Sequence, residues 1–93
     1  MLVLQLSITQ EAQDFIRQKY QNIHVSLERK GCCSGTFEPA VFAGKPISIE
    51  LYDTYKIGDI EAYILKDTFS SVEVFLVKFH THKYLSVDAK MLV

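Results

Sequence analysis

Cys32 and Cys33 are the only two thiols in this chain, and they stand side by side in Gly31-Cys32-Cys33-Ser34-Gly35. Adjacent thiols offer two kinds of chemistry. Joined to each other they form a vicinal disulfide; the Cα atoms of neighbouring residues are about 3.8 Å apart, below the usual range of roughly 4.4–6.8 Å, so the bond is strained and easily reduced. Such a bond suits a switch or a catalytic cycle better than a structural staple. As thiolates, the pair can hold a thiophilic metal. Consecutive side chains of a straight strand point to opposite faces, so only a bend brings the sulfurs together. Gly31 and Gly35 suit that bend, because glycine takes positive φ at little cost. Arg29, Lys30 and the loop N–H groups would favour the thiolate, whereas Glu28 and Glu38 oppose it. The plain competing reading is a pair of small buried apolar side chains, and the flanking glycines argue for exposure instead.

Spacing narrows the metal chemistry. Zinc sites separate paired cysteines by about two to four residues, which this pair does not do. An iron–sulfur cluster takes about four protein ligands, so two thiols per chain make oligomerisation a condition of that chemistry, with four thiols from a symmetric dimer or one thiol per chain helped by other groups. His80 and His82 are the other metal-like pattern: if Thr81 keeps strand geometry their imidazoles share a face and can add ligands, and if the segment turns they are solvated hairpin histidines. His24, alternating against Ile23 and Val25, reads as a surface residue. A Cys–His nucleophile and base pair is conceivable, but no spacing shows that the two meet.

The elements that must position the pair are legible on either side of it. Thr9 caps a helix over about 9–21, with Glu11 in the first turn and Ala12, Phe15, Ile16 and Tyr20 forming its apolar stripe. Alternation of Ile23, Val25 and Leu27 with His24, Ser26 and Glu28 predicts a strand leading into the cysteine loop, which passes on through Thr36, Phe37, Glu38 and Pro39. Gly44-Lys45-Pro46 is a turn, and Ile47, Ile49 and Leu51 alternate as a further strand. Ile60 to Lys66 reads as a strand, Asp67 to Ser71 as a loop or single helical turn, and Val72 to Phe79 as a central strand apolar on both faces. His80 to Lys83 connects to Tyr84–Val87, and Leu2–Leu6 is a candidate first strand. One helix among short strands gives an α+β fold, mainly β.

Composition limits the partners. The 93 residues, 48% of them apolar, fit one domain spanning 1–93. A net charge of −1 speaks against nucleic acid, and the aromatics read as core and sheet-edge residues rather than a stacking platform. No apolar run approaches the roughly 18 residues of a membrane span, and Met1-Leu2-Val3-Leu4 does not have the form of a signal peptide. Two adjacent cysteines do not make a disulfide framework, so a cytoplasmic location is expected.

Three stretches carry a family resemblance: Ile8-Thr9-Gln10-Glu11-Ala12, the Gly31–Gly35 loop, and Tyr63-Ile64-Leu65-Lys66-Asp67 followed by Val72-Glu73-Val74. Together they resemble the HesB-like or IscA-like family, the A-type iron–sulfur carriers, in which a strand ends in Gly-Gly-Cys-Ser-Gly. Cys33 matches the family's first ligand cysteine and Cys32 replaces a glycine. The carriers' C-terminal Cys-Gly-Cys is missing here, where the tail reads Tyr84 to Val93 without cysteine, so the chain is more similar to a divergent branch with a Cys-Cys or selenocysteine motif. The resemblance implies a HesB-like domain related to iron–sulfur assembly, with iron or a cluster on Cys32 and Cys33 of a homodimer. A thiol redox protein cycling a Cys32–Cys33 disulfide with a partner protein is the alternative, and an interaction domain without chemistry is a third.

Overall fold

The computed structural model describes residues 4–30 and 36–92, with Lys30 described by its backbone alone. In chain order the elements are β1 (Gln5–Ile8), α1 (Gln10–Lys19), β2 (Asn22–Lys30), β3 (Thr36–Ala43), a 3-10 turn (Ile49–Leu51), β4 (Tyr52–Ile57), β5 (Ile60–Leu65), β6 (Phe69–Phe79) and β7 (His82–Met91). The strands form a three-stranded sheet in the order β1-β6-β7 and a four-stranded sheet in the order β3-β2-β5-β4. This is the mainly β, one-helix α+β architecture that the alternating patterns predict.

The helix starts where its cap requires. Thr9 Oγ1 accepts the Ala12 N–H at 3.3 Å, Glu11 lies in the first turn, and Arg17 and Lys19 lie in the last. It ends two residues earlier than the apolar stripe suggests, because Gln21 takes a φ of 68°. Ala12 and Ile16 are buried among Ile8, Ile23, Val25, Ile60, Ala62, Ile64, Phe69, Val72 and Val74, so helix and both sheets share one apolar core. Arg17, on the outer side, donates to Asp59 Oδ1 at 2.6 Å beside the Gly58 turn. A Cβ on Gly58 would stand 3.0 Å from the Arg17 guanidinium, and its φ of 61° also favours glycine.

Several boundaries differ from expectation. Ile47, Ile49 and Leu51 are not a strand: Ile49–Leu51 is a single 3-10 turn, and Ile47 is 104% exposed. β3 and β4 lie at opposite edges of one sheet, so the chain between them has to travel across the sheet instead of along a ladder. Pro46 is buried on that path, and the strand begins only at Tyr52. Thr36 to Pro39, expected in the loop, belong to β3, paired with β2 from Lys30↔Thr36 to Ile23↔Ala43. Residues 66–68 make a tight turn, and Phe69 to Ser71 already belong to β6. The first strand is Gln5–Ile8 and runs parallel to β6, with Leu2 and Val3 outside the described residues. β6 is central in its sheet, as predicted, and β7 extends to Met91, beyond the expected Val87.

Pro39 sits in β3 without costing the ladder a bond. Gly44 N–H donates to the Asn22 carbonyl at 2.8 Å, so alternate pairs outward from Asn22 and Gly44 exchange hydrogen bonds and Leu27↔Pro39 falls on a non-bonded pair. The nitrogen of Pro39 therefore faces the open edge, where a missing donor discourages pairing with another strand.

Candidate thiol site at the end of the β2–β3 hairpin

The β2–β3 ladder runs without a register shift to Lys30↔Thr36. Gly31, Cys32, Cys33, Ser34 and Gly35 join those two ends and lie outside the described residues. β5 runs beside β2 only from Asn22 to Val25, so from Ser26 onward β2 and β3 form a two-stranded ribbon. An isolated ribbon is only marginally stable in water, and its rigidity rests on the buried base around Ile23 and Val25.

Register sorts the charges near the ribbon's end into two faces. Glu28 stands directly opposite Glu38, with Ser26↔Ala40 on the same face; Arg29↔Phe37 and Leu27↔Pro39 continue the face of Ile23 and Val25. The Arg29 cation and the two carboxylates expected to act against it thus leave the ribbon on opposite sides. Like charges directly opposed across two strands destabilise the pair. Phe37 is 57% exposed on the Arg29 side. A groove of about 390 Å³ opens between β3 and β7, with Glu28, Glu38 and Pro39 on one wall and Tyr84, Ser86 and Val87 on the other. The opposed carboxylates and the groove escaped the sequence reading, although the signal existed: Glu28 and Glu38 are symmetric about Cys33, as a hairpin centred there requires.

The histidines are placed apart from one another in geometry. His80 sits in the β6–β7 turn with a φ of 56°, its ring 4.4 Å from that of Phe79, whereas His82 lies on β7 opposite Phe79. Thr81 is in the turn too, so the strand geometry that would set both imidazoles on one face is not adopted, and both residues are exposed. Among the described residues no group of three or more His, Cys, Asp or Glu side chains is arranged to hold a metal ion.

His24 is not a plain surface residue. It is half-buried, stacks on Phe42 at 5.1 Å and meets Tyr52 edge-on at 5.9 Å. Its Nδ1 lies 2.9 Å from the Gly44 carbonyl, an acceptor only, so the proton is on Nδ1. This cluster fastens the chain leaving β3. Next to it on β5, Tyr63 is 3% exposed and donates its hydroxyl to Glu61 Oε2 at 2.9 Å. That hydrogen bond, with desolvation and the Glu61 charge, raises the phenol above its ordinary value.

No helix among the described residues is long and apolar enough to cross a membrane. In comparison with known proteins, the family model described as "CC/Se motif containing family" matches residues 4–90. The crystal structure of Escherichia coli SufA, described as involved in biosynthesis of iron–sulfur clusters, is similar with a TM-score of 0.62. That similarity comes at 11% sequence identity and covers 90% of this chain and 79% of that one. The fold implied by the cysteine loop and the helix start is therefore present. No curated protein matches the chain.

Proposed function

The chain belongs to the CC/Se motif containing family, and on that premise we propose that it is a divergent relative of the A-type carriers, related to iron–sulfur assembly, which binds iron, a cluster or another thiophilic ligand through Cys32 and Cys33. The observation that carries this reading is the unbroken β2–β3 register on a SufA-like fold, which leaves only the cysteine loop to join Lys30 to Thr36. Soft thiolates select iron–sulfur clusters and similar metals over hard cations. With two thiols per chain and no cysteine in the C-terminal tail, a four-thiol cluster site draws on two chains. Iron or a cluster is cargo in this reading. The chain's own part is to present the sulfurs at the end of a supported ribbon, and His80 and His82, exposed at another hairpin, are at most auxiliary ligands.

Anaerobic incubation with iron and sulfide tests it. Visible absorption with stoichiometric protein-bound iron is expected, and both vanish in Cys32→Ser/Cys33→Ser. A colourless, iron-free product from the unsubstituted chain overturns the reading.

A second reading is favoured by the adjacency of the chain's only two thiols and by a family description that pairs Cys-Cys with selenium. Here one thiolate attacks a disulfide of a partner protein, and the neighbouring sulfur displaces the partner's remaining thiol. The vicinal disulfide forms, two protons and two electrons leave the pair, and the partner's disulfide becomes two thiols. Arg29, on the ribbon face away from Glu28 and Glu38, would favour a thiolate held on its own side. Intact mass after mild oxidation distinguishes the readings: an internal disulfide lowers it by about 2 Da, and two labels per chain after every oxidant remove the redox cycle.

A further inference from the structure

β6 is apolar on both faces, yet only one of them meets the core. Val72, Val74 and Leu76 turn inward, and with them Ala89, Val87 and Leu85 of β7. On the outer face β6 presents Glu73, Phe75, Val77 and Phe79, opposite Asp88, Ser86, Tyr84 and His82 of β7. Phe79 is 63% and Tyr84 52% exposed, and Phe75 and Val77 are half-buried without belonging to the core cluster. A sheet with one solvated face alternates apolar with polar residues. β6 breaks that rule over three successive outward positions, the pattern of a strand whose second face is also covered.

The layout of this face identifies what covers it. Its rows run Glu73/Asp88, Phe75/Ser86, Val77/Tyr84, Phe79/His82. Acid stands at one end, aromatic and aliphatic groups in the middle, and an imidazole at the other end. A two-fold axis through the centre lays Phe75/Ser86 of one chain over Val77/Tyr84 of the other. It also brings His82 over Asp88, and Phe79 over Glu73, at both ends. The imidazole can donate an N–H to a carboxylate in either protonation state. Two such faces stack in the manner of a sandwich, about 10 Å apart. A two-fold interface needs a patch that complements itself, and this one does.

We infer that the outer face of β6 and β7 is the contact surface for a second copy of this chain, with Phe75, Val77 and Tyr84 at its centre and His82 paired with Asp88 at its margins. The interface involves no thiol, so its test is run in the Cys32→Ser/Cys33→Ser chain, where failure of the proposed cysteine chemistry cannot affect the outcome. Sedimentation equilibrium of that chain should show a reversible dimer. Val77→Glu buries a carboxylate at the centre and should raise the dissociation constant on the order of a hundredfold. His82→Glu sets carboxylate against carboxylate and should weaken the dimer about tenfold, and adding Asp88→Lys should restore most of it. These two positions are exposed, so the swap keeps the test decisive if Val77→Glu fails to fold. A monomer at every concentration overturns the inference, as does a dimer indifferent to the swap; a face that binds only some other protein gives the first of these results.

Discussion

The two long hairpins end in opposite ways. In β2–β3 the apolar alternation stops at Leu27 and gives way to the charged run Glu28, Arg29 and Lys30, beyond which lies the cysteine loop. In β6–β7 apolar side chains continue on the outer face to Phe79, and a two-residue turn, His80-Thr81, closes the ladder. The first hairpin runs from a buried base toward the exposed Glu28 and Arg29, and the proposed ligand site follows them in sequence. The second carries its hydrophobicity outward, where only another macromolecule can cover it. The proposed chemistry and the proposed contact thus fall on different ribbons, both away from the shared core.

This division can be broken from the core outward. Ile23→Ala removes a fully buried side chain at the base of the first ribbon and should cost about 2–5 kcal/mol in chemical denaturation. Phe79→Ser, at the end of the second, should leave monomer stability within roughly 0.5 kcal/mol, as an exposed position does. A large loss there would show that Phe79 serves the fold instead of a contact. Thr9→Ala, which removes the helix cap, should cost about 1 kcal/mol.

Glu28→Gln removes the carboxylate opposite Glu38 and should stabilise the chain by about 0.2–1 kcal/mol, read as a higher denaturation midpoint with unchanged slope. Destabilisation instead would show that the paired charges support the ribbon. The smallest effect belongs to Asp59, whose hydrogen bond from Arg17 holds its carboxyl below the ordinary value. A lowered native value means that any stabilisation is present above the unfolded value and is lost as pH falls through the native one. NMR titration should show the depression, and Arg17→Gln should abolish it; the site is exposed, so thermal stability should hardly respond.

Much of this was legible from sequence. Cap and periodicity located α1, β2, β5 and β6, because each of those segments turns a run of apolar side chains into the core. Ile47 to Leu51 misled because alternation describes side chains, not partners, and the segment lies on the crossing between β3 and β4 at opposite edges of the sheet. β3 was hidden by Pro39, a residue that argues against a strand until the register shows its nitrogen facing outward. At the candidate site, the adjacency of Cys32 and Cys33 and their glycine frame could be read directly. That Arg29 leaves the strand opposite to Glu28 follows from alternation alone, but the facing of Glu28 and Glu38 depends on a hairpin centred on Cys33, and a one-residue change of register would have undone it.

Both readings of the site require Cys32 and Cys33 to act jointly at an accessible hairpin end. Native mass spectrometry after treatment with a trivalent arsenical, which needs two neighbouring thiols for one stable adduct, tests this most directly. One adduct per folded chain, with both thiols consumed and none formed in either single Cys→Ser variant, is the predicted result. Thiols that ignore the reagent until the chain is unfolded would contradict it.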